Sequence, residues 1–192
     1  MNIIGLDGLV FGVDDVAATA QYLVDYGLTQ VAAGRFEALD GSALIIAASD
    51  DPELPAPLPT GSMLRKMVYG VADQATVEAI AAELGKDRDV RRLADGSIEA
   101  RDDNGFMLGF QVTVRRPLDL PGEAVNAPGQ PQRAPNQVGV QGETMPKVRT
   151  LSHLACFSPD AKKGEAFYVN RLGFRVTDRL TGAGPFLQPG GT

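Results

Sequence analysis

Residues 151–160 read Leu151-Ser152-His153-Leu154-Ala155-Cys156-Phe157-Ser158-Pro159-Asp160, and they repeat the layout of a stretch near the start of the chain. Leu6-Asp7-Gly8-Leu9 corresponds to Leu151-Ser152-His153-Leu154, Asp15 to Asp160 and Tyr22 to Phe167. After a one-residue shift, Gly27-Leu28 corresponds to Gly173-Phe174. Self-similarity at a fixed separation marks a duplicated module. The first copy shows what the module is. Over residues 3–13, Leu9, Phe11 and Val13 alternate with Gly8, Val10 and Gly12, which predicts a strand with one bulky and one small face. Asp14 or Asp15 can cap a helix whose apolar stripe is Val16, Ala20, Leu23 and Val24, and Gly27 ends it. Residues 28–32, 35–39 and 43–48 are three short strands, with a hairpin signal at Asp40-Gly41.

The same order returns after a proline cluster at Pro52, Pro55, Pro57 and Pro59, which makes a stiff connection. Residues 66–71 predict a strand. Asp73 caps a helix with the stripe Val77, Ile80, Ala81 and Leu84, and Gly85 closes it. Strands are predicted at 90–93, 97–101 and 106–114, with turns at Asp95-Gly96 and Asn104-Gly105. In the last of these, Phe106, Leu108, Phe110, Val112 and Val114 share a face. The expected fold is α+β, built from repeated βαβββ modules. Residues 1–115 make a first domain of two modules. Residues 116–147, rich in Pro and Gly without periodicity, make a linker. Residues 148–192 begin a second domain: a strand, a helix near 160–172 and one or two further strands. That third copy is short of strands, so the chain reads as C-terminally truncated or as covered at its end by a partner.

Composition narrows the function. Net charge is −6 and the pI is about 4.8, so there is no electrostatic footprint for nucleic acid. One cysteine excludes an intrachain disulfide and a cysteine-based zinc site, and fits a reducing compartment. One histidine excludes any two-histidine site within a single copy of the chain. No apolar run approaches membrane-spanning length and no basic leader opens the chain, so a cytoplasmic location is expected.

Residues 151–160, followed by Ala166-Phe167-Tyr168-Val169-Asn170-Arg171-Leu172-Gly173-Phe174-Arg175-Val176, resemble the vicinal oxygen chelate superfamily: glyoxalase I, bleomycin- and fosfomycin-resistance proteins and type I extradiol dioxygenases. Residues 181–192 look most like the dioxygenase branch. The resemblance implies ring cleavage of a catecholic diol by O2 on Fe(II), or occasionally Mn(II), held by two His and one Glu of the second domain. His153 matches the first of these ligands. The second His, the Glu and the acid–base His would lie beyond Thr192, so the chain alone is expected to be inactive. The corresponding positions of the first domain hold Gly8, Lys66 and Gly109, which implies a metal-free domain. A small aromatic diol, O2 and a homo-oligomeric assembly are the implied partners, with no nucleic acid and no membrane. A non-catalytic binding or resistance protein of the superfamily, or a glyoxalase-like isomerase, is the alternative.

From spacing alone a single strand histidine is more often a packed side chain than a ligand. The residues place His153 on a face with Leu151, Ala155 and Phe157, opposite Leu154 and Cys156. Cys156 reads as a buried thiol, Phe167 and Tyr168 as packing, and Asp102 and Asp103 as turn residues. The glycine-rich end, residues 182–191, has no lysine and no following helix, and so is not a phosphate loop.

Overall fold

The first strand runs through the middle of an eight-stranded sheet. The computed structural model describes residues 1–60, 63–120, 125–139 and 145–190. Two parts of the expected linker, 121–124 and 140–144, and the last two residues of the chain lie outside these. β1 (Ile3–Val13) is followed by α1 (Val16–Asp25), β2 (Thr29–Ala32), β3 (Arg35–Glu37) and β4 (Ala43–Ala48). β5 (Leu64–Val71), α2 (Gln74–Leu84), β6 (Arg91–Arg92), β7 (Ile98–Arg101) and β8 (Met107–Val112) repeat that order. The sheet runs β2-β3-β4-β1-β5-β8-β7-β6. In each module the last strand returns to pair in parallel with the first, β4 on β1 and β8 on β5. The modules then join through one antiparallel pair, β1 on β5.

Two neighbouring rows across the sheet explain the alternation in the sequence. Leu44, Leu9, Met67, Leu108 and Ala100 are in register across five strands. Leu9, Met67, Leu108 and Ala100 are buried in one cluster with Val77, Ile80, Ala81 and Leu84 of α2. The next row is Ala43, Gly8, Val68, Gly109 and Glu99, on the face turned away from that helix. A second cluster, Val13, Leu23, Leu28, Phe36, Ala38 and Ile46, lies beneath α1. Burying these side chains supplies the main driving force for folding, at about 1.5–3 kcal/mol for each large one.

The helix signals hold. Asp15 accepts from the Ala18 amide at 2.9 Å and Asp73 from the Thr76 amide at 2.8 Å. Asp160 accepts from the Lys163 amide at 3.0 Å and starts α3 (Ala161–Leu172), which Gly173 ends in the left-handed region. The two Asp-Gly-Ser turns are built alike. Asp40 Oδ1 takes the Ser42 amide and hydroxyl, and Asp95 Oδ1 takes those of Ser97. Some boundaries shrink. The strand expected at 90–93 is only β6, and that at 106–114 is β8, leaving Val112 and Val114 exposed.

The third copy departs most from expectation. Residues 149–158 carry no ladder, although their alternation predicted a strand. Leu151 and Leu154 both pack, half-buried, on the α2 cluster, so they do not sit on opposite faces. β9 (Arg175–Leu180) and β10 (Gly184–Gln188) form a separate hairpin. Phe167, Leu172 and Phe174 are buried in the same cluster as α2. Arg171 fastens α3 to α2, donating to Glu83 Oε1 at 2.6 Å and to Asp87 Oδ2 at 2.9 Å, and Arg88 lies 4.9 Å from the Phe167 ring centroid. Phe167 and Tyr168 are thus packing residues, as their position on a helix predicts.

Candidate functional site

His153 stands on the extended segment between the last described linker residues and α3. The residue is exposed, and its Nδ1 lies 3.0 Å from Ser152 Oγ. A hydroxyl on Nδ1 leaves Nε2 to meet a ligand, which is how a second partner orients a metal-binding imidazole. As one donor, His153 fits a metal. Among the described residues, however, no group of three or more His, Cys, Asp or Glu side chains stands close enough to hold an ion. The described residues therefore do not make a complete metal centre, and no catalytic step can be derived from them.

The segment carrying His153 is tied down at both ends. Upstream, the amides of Leu39 and Asp40 donate to the carbonyls of Val148 and Arg149 at 2.9 and 3.1 Å, and the Val148 amide reaches the Gly27 carbonyl at 3.3 Å. Gly27 has φ +102°, and any Cβ there would collide with the Pro146 carbonyl, so the position that ends α1 also lets the incoming chain approach. Leu151 is held on both backbone groups. Its amide donates to Ser42 Oγ at 2.9 Å, and its carbonyl accepts from Arg115 Nη2 at 2.7 Å. Downstream, Asn104 grips the Asp160 backbone.

Behind Leu151 lies a buried charge network. Arg115 Nε is 3.6 Å from Asp7 Oδ1 and 3.8 Å from Asp40 Oδ2, and Nη2 also donates to the Leu6 carbonyl. Asp7 further accepts from Gln111 Nε2, Thr113 Oγ1 and the Val114 amide. Burial alone would raise the Asp40 carboxyl, but hydrogen bonds from Ser42 and Thr150 and the Arg115 charge hold it below its ordinary value. Asp40, Ser42, Asp7 and Arg115 do not stand out from the sequence as site residues. Asp7 was the available signal, an acid within the otherwise apolar run of β1.

The helix-free face of the sheet carries the other positions marked in the sequence. Gly8 and Gly109 flank Val68 in one row, and Lys66 Nζ donates to Glu99 Oε1 at 2.7 Å. Arg91 pairs with the same carboxylate. The face thus offers side-chain-free backbone and a neutralised acid.

Cys156 corrects an expectation: the residue is exposed, because its segment has no neighbouring strand to cover it. Surrounding protein, which desolvates it, and the Asp102 charge push its thiol up to about 11, so it is a poor nucleophile at neutral pH. Asp102 is a turn residue as expected. It accepts from the amides of Asn104 and Phe106, burial raises its carboxyl, and Tyr168 OH donates to it at 3.4 Å. Asp103 pairs with Arg88 at 2.8 Å. No described helix is long and apolar enough to cross a membrane.

No protein-family model matches the sequence, and no curated protein matches it in sequence. Solved structures do match. A Mn(II)-bound glyoxalase from Novosphingobium aromaticivorans aligns over 97% of this chain and 58% of its own, with TM-score 0.64 and 17% identity. A homoprotocatechuate 2,3-dioxygenase from Brevibacterium fuscum aligns over 97% of this chain and 50% of its own, with TM-score 0.61 and 19% identity. A catechol 2,3-dioxygenase aligns over 97% and 65%, with TM-score 0.58 and 14% identity. The chain therefore spans between half and two thirds of the length of these structures. At such identities the likeness is one of fold: paired βαβββ modules closing one eight-stranded sheet are the vicinal oxygen chelate fold, and this chain has it.

Proposed function

We propose that this chain supplies the metal-free first domain, and the first metal ligand of the second domain, of an extradiol ring-cleaving dioxygenase. The reading rests on one observation. The positions that the resemblance implies for metal ligands hold Gly8, Lys66 and Gly109 in the first two modules, and in the sequence of the third copy His153 aligns with Gly8. A two-His, one-carboxylate Fe(II) centre would supply the open positions that bring a catecholic diol and O2 together. Lys66, already neutralising Glu99, disfavours a cation on the first domain's own face. His153 contributes one neutral nitrogen and keeps its ring oriented through Ser152.

The test is O2 uptake with catechol and added Fe(II). It compares the 192-residue chain with a chimera that continues it through the remaining strands of a dioxygenase second domain. The chain alone should be inactive. The chimera should consume O2 and lose that activity on His153→Ala. Turnover by the short chain, or a chimera indifferent to His153→Ala, overturns the reading. The glyoxalase likeness favours a second reading, metal-dependent isomerisation; a chimera that isomerises a hemithioacetal and leaves catechol untouched would select it.

A further inference from the structure

We propose that Asp40, Ser42 and Arg115 of the first domain are positioning residues that set where His153 is presented. The geometry that points to this is a double hold on one residue. Leu151 is gripped at its amide by Ser42 Oγ (2.9 Å) and at its carbonyl by Arg115 Nη2 (2.7 Å). Both holding groups are themselves fixed. The Ser42 hydroxyl donates to Asp40 Oδ1 at 2.6 Å, and Ser42 is fully buried. The Arg115 guanidinium sits between Asp7 and Asp40, whose side chains are 0% and 8% exposed. A charge-assisted, buried network of this kind keeps its geometry far better than surface contacts do.

Leu151 is two residues from His153, a span of at most about 7 Å of extended chain. The next fixed points are Leu154, packed on the core, and Asp160, held by Asn104. His153 therefore lies on a short bridge whose near end belongs to the first domain. Nothing in the ladder pattern holds this bridge, because residues 149–158 pair with no described strand. The clasp does what a neighbouring strand would otherwise do. The metal-free domain thereby becomes the jig for the ligand-bearing segment. The inference rests on His153 being a ligand for its purpose, but not for its geometry.

The chain has a single histidine, so the His153 ring gives one unambiguous set of nuclear magnetic resonance signals. The experiment uses the full 192-residue chain without metal. It records the His153 ring resonances and the hydrogen-exchange rate of the Leu151 amide for the parent, Ser42→Ala, Arg115→Gln and Val77→Ala. Val77 is a buried residue of α2 and makes none of the clasp's hydrogen bonds, so Val77→Ala lowers stability while leaving those bonds in place. The expected result is a moved His153 signal in the two clasp variants, with Leu151 exchange about tenfold faster in Ser42→Ala, and an unmoved signal in Val77→Ala. Ser42→Ala removes only a hydroxyl, and keeps the test open if Arg115→Gln fails to fold. An unmoved ring signal and unchanged Leu151 exchange in Ser42→Ala overturn the proposal, as does an equal movement in Val77→Ala. Because no metal or turnover is read, failure of the dioxygenase reading would appear separately, in the chimera assay.

Discussion

Asn104 and Asp160 hold each other by a reciprocal pair of hydrogen bonds: Asn104 Nδ2 donates to the Asp160 carbonyl at 2.9 Å, and the Asp160 amide donates to Asn104 Oδ1 at 3.2 Å. Asp160 is the cap of α3, and Asn104 sits in the turn that leads into β8. The helix of the third copy is thus started by its own aspartate and placed by the second module. Asn104→Ala should cost about 1–2 kcal/mol, the worth of two partly exposed hydrogen bonds. The measurement is a urea midpoint at unchanged slope. A shift of less than a few tenths would mean that water replaces both bonds.

Two glycines on the helix-free face should differ in their response to a methyl group. A Cβ at Gly70 would collide with the buried Asp7 carboxylate, whereas the nearest heavy atom to a Cβ at Gly8 would be 3.6 Å away. Gly70→Ala should lose about 1–3 kcal/mol by overpacking, and Gly8→Ala should lie near the parent. Thermal unfolding of the pair decides it, and equal losses would refute the assigned contacts.

Acid should weaken the fold through Asp40 and Glu99. Burial works to raise both carboxyls, but Ser42 and Thr150 with the Arg115 charge, and Lys66 with Arg91, leave them below their ordinary values of 3.8 and 4.5. A carboxylate with a depressed folded pKa stabilises at pH above its unfolded value, and that stabilisation is lost as pH falls through the folded one. The acid limb should therefore fall below about pH 4. Asp102, raised by burial, has the opposite sign and favours the fold as it protonates. Denaturant titrations of Asp40→Asn should show lower neutral stability and a shallower acid limb than the parent. A parallel acid limb would remove Asp40 from the account.

Iron should not stay on this chain. One exposed imidazole cannot retain Fe(II) against dialysis, since a facial site needs three donors. Metal analysis after Fe(II) loading and dialysis should find far less than one iron per chain. Stoichiometric iron would show that further donors assemble.

The modules were legible because each of their devices is local. Asp15, Asp73 and Asp160 cap their helices with a side chain three residues from the amide it accepts. Asp40-Gly41-Ser42 and Asp95-Gly96-Ser97 close their own turns. The alternation of Gly8, Val10 and Gly12 with Leu9, Phe11 and Val13 marked two faces that the sheet then used. What could not be read needed partners far along the chain. The alternation at Leu151–Phe157 looked like that of β1, but a strand exists only where a neighbour supplies its hydrogen bonds, and none of the described strands does so. Cys156 is exposed for the same reason. The Asp7–Arg115–Asp40–Ser42 network joins residues more than a hundred positions apart in places, and no periodicity reports that. The sequence singled out His153 as the candidate ligand, and the structure adds what holds the segment that carries it.

The position of β1 bears on how the protein is made. Its two edges are filled by β4 and β5, so as the chain is synthesised β1 keeps an unpaired edge until residue 71 has emerged. During that interval an apolar ribbon, with leucine, phenylalanine and valine along one side, is open to other nascent chains. β1 is therefore indispensable to the sheet: breaking it would remove the axis about which both modules close.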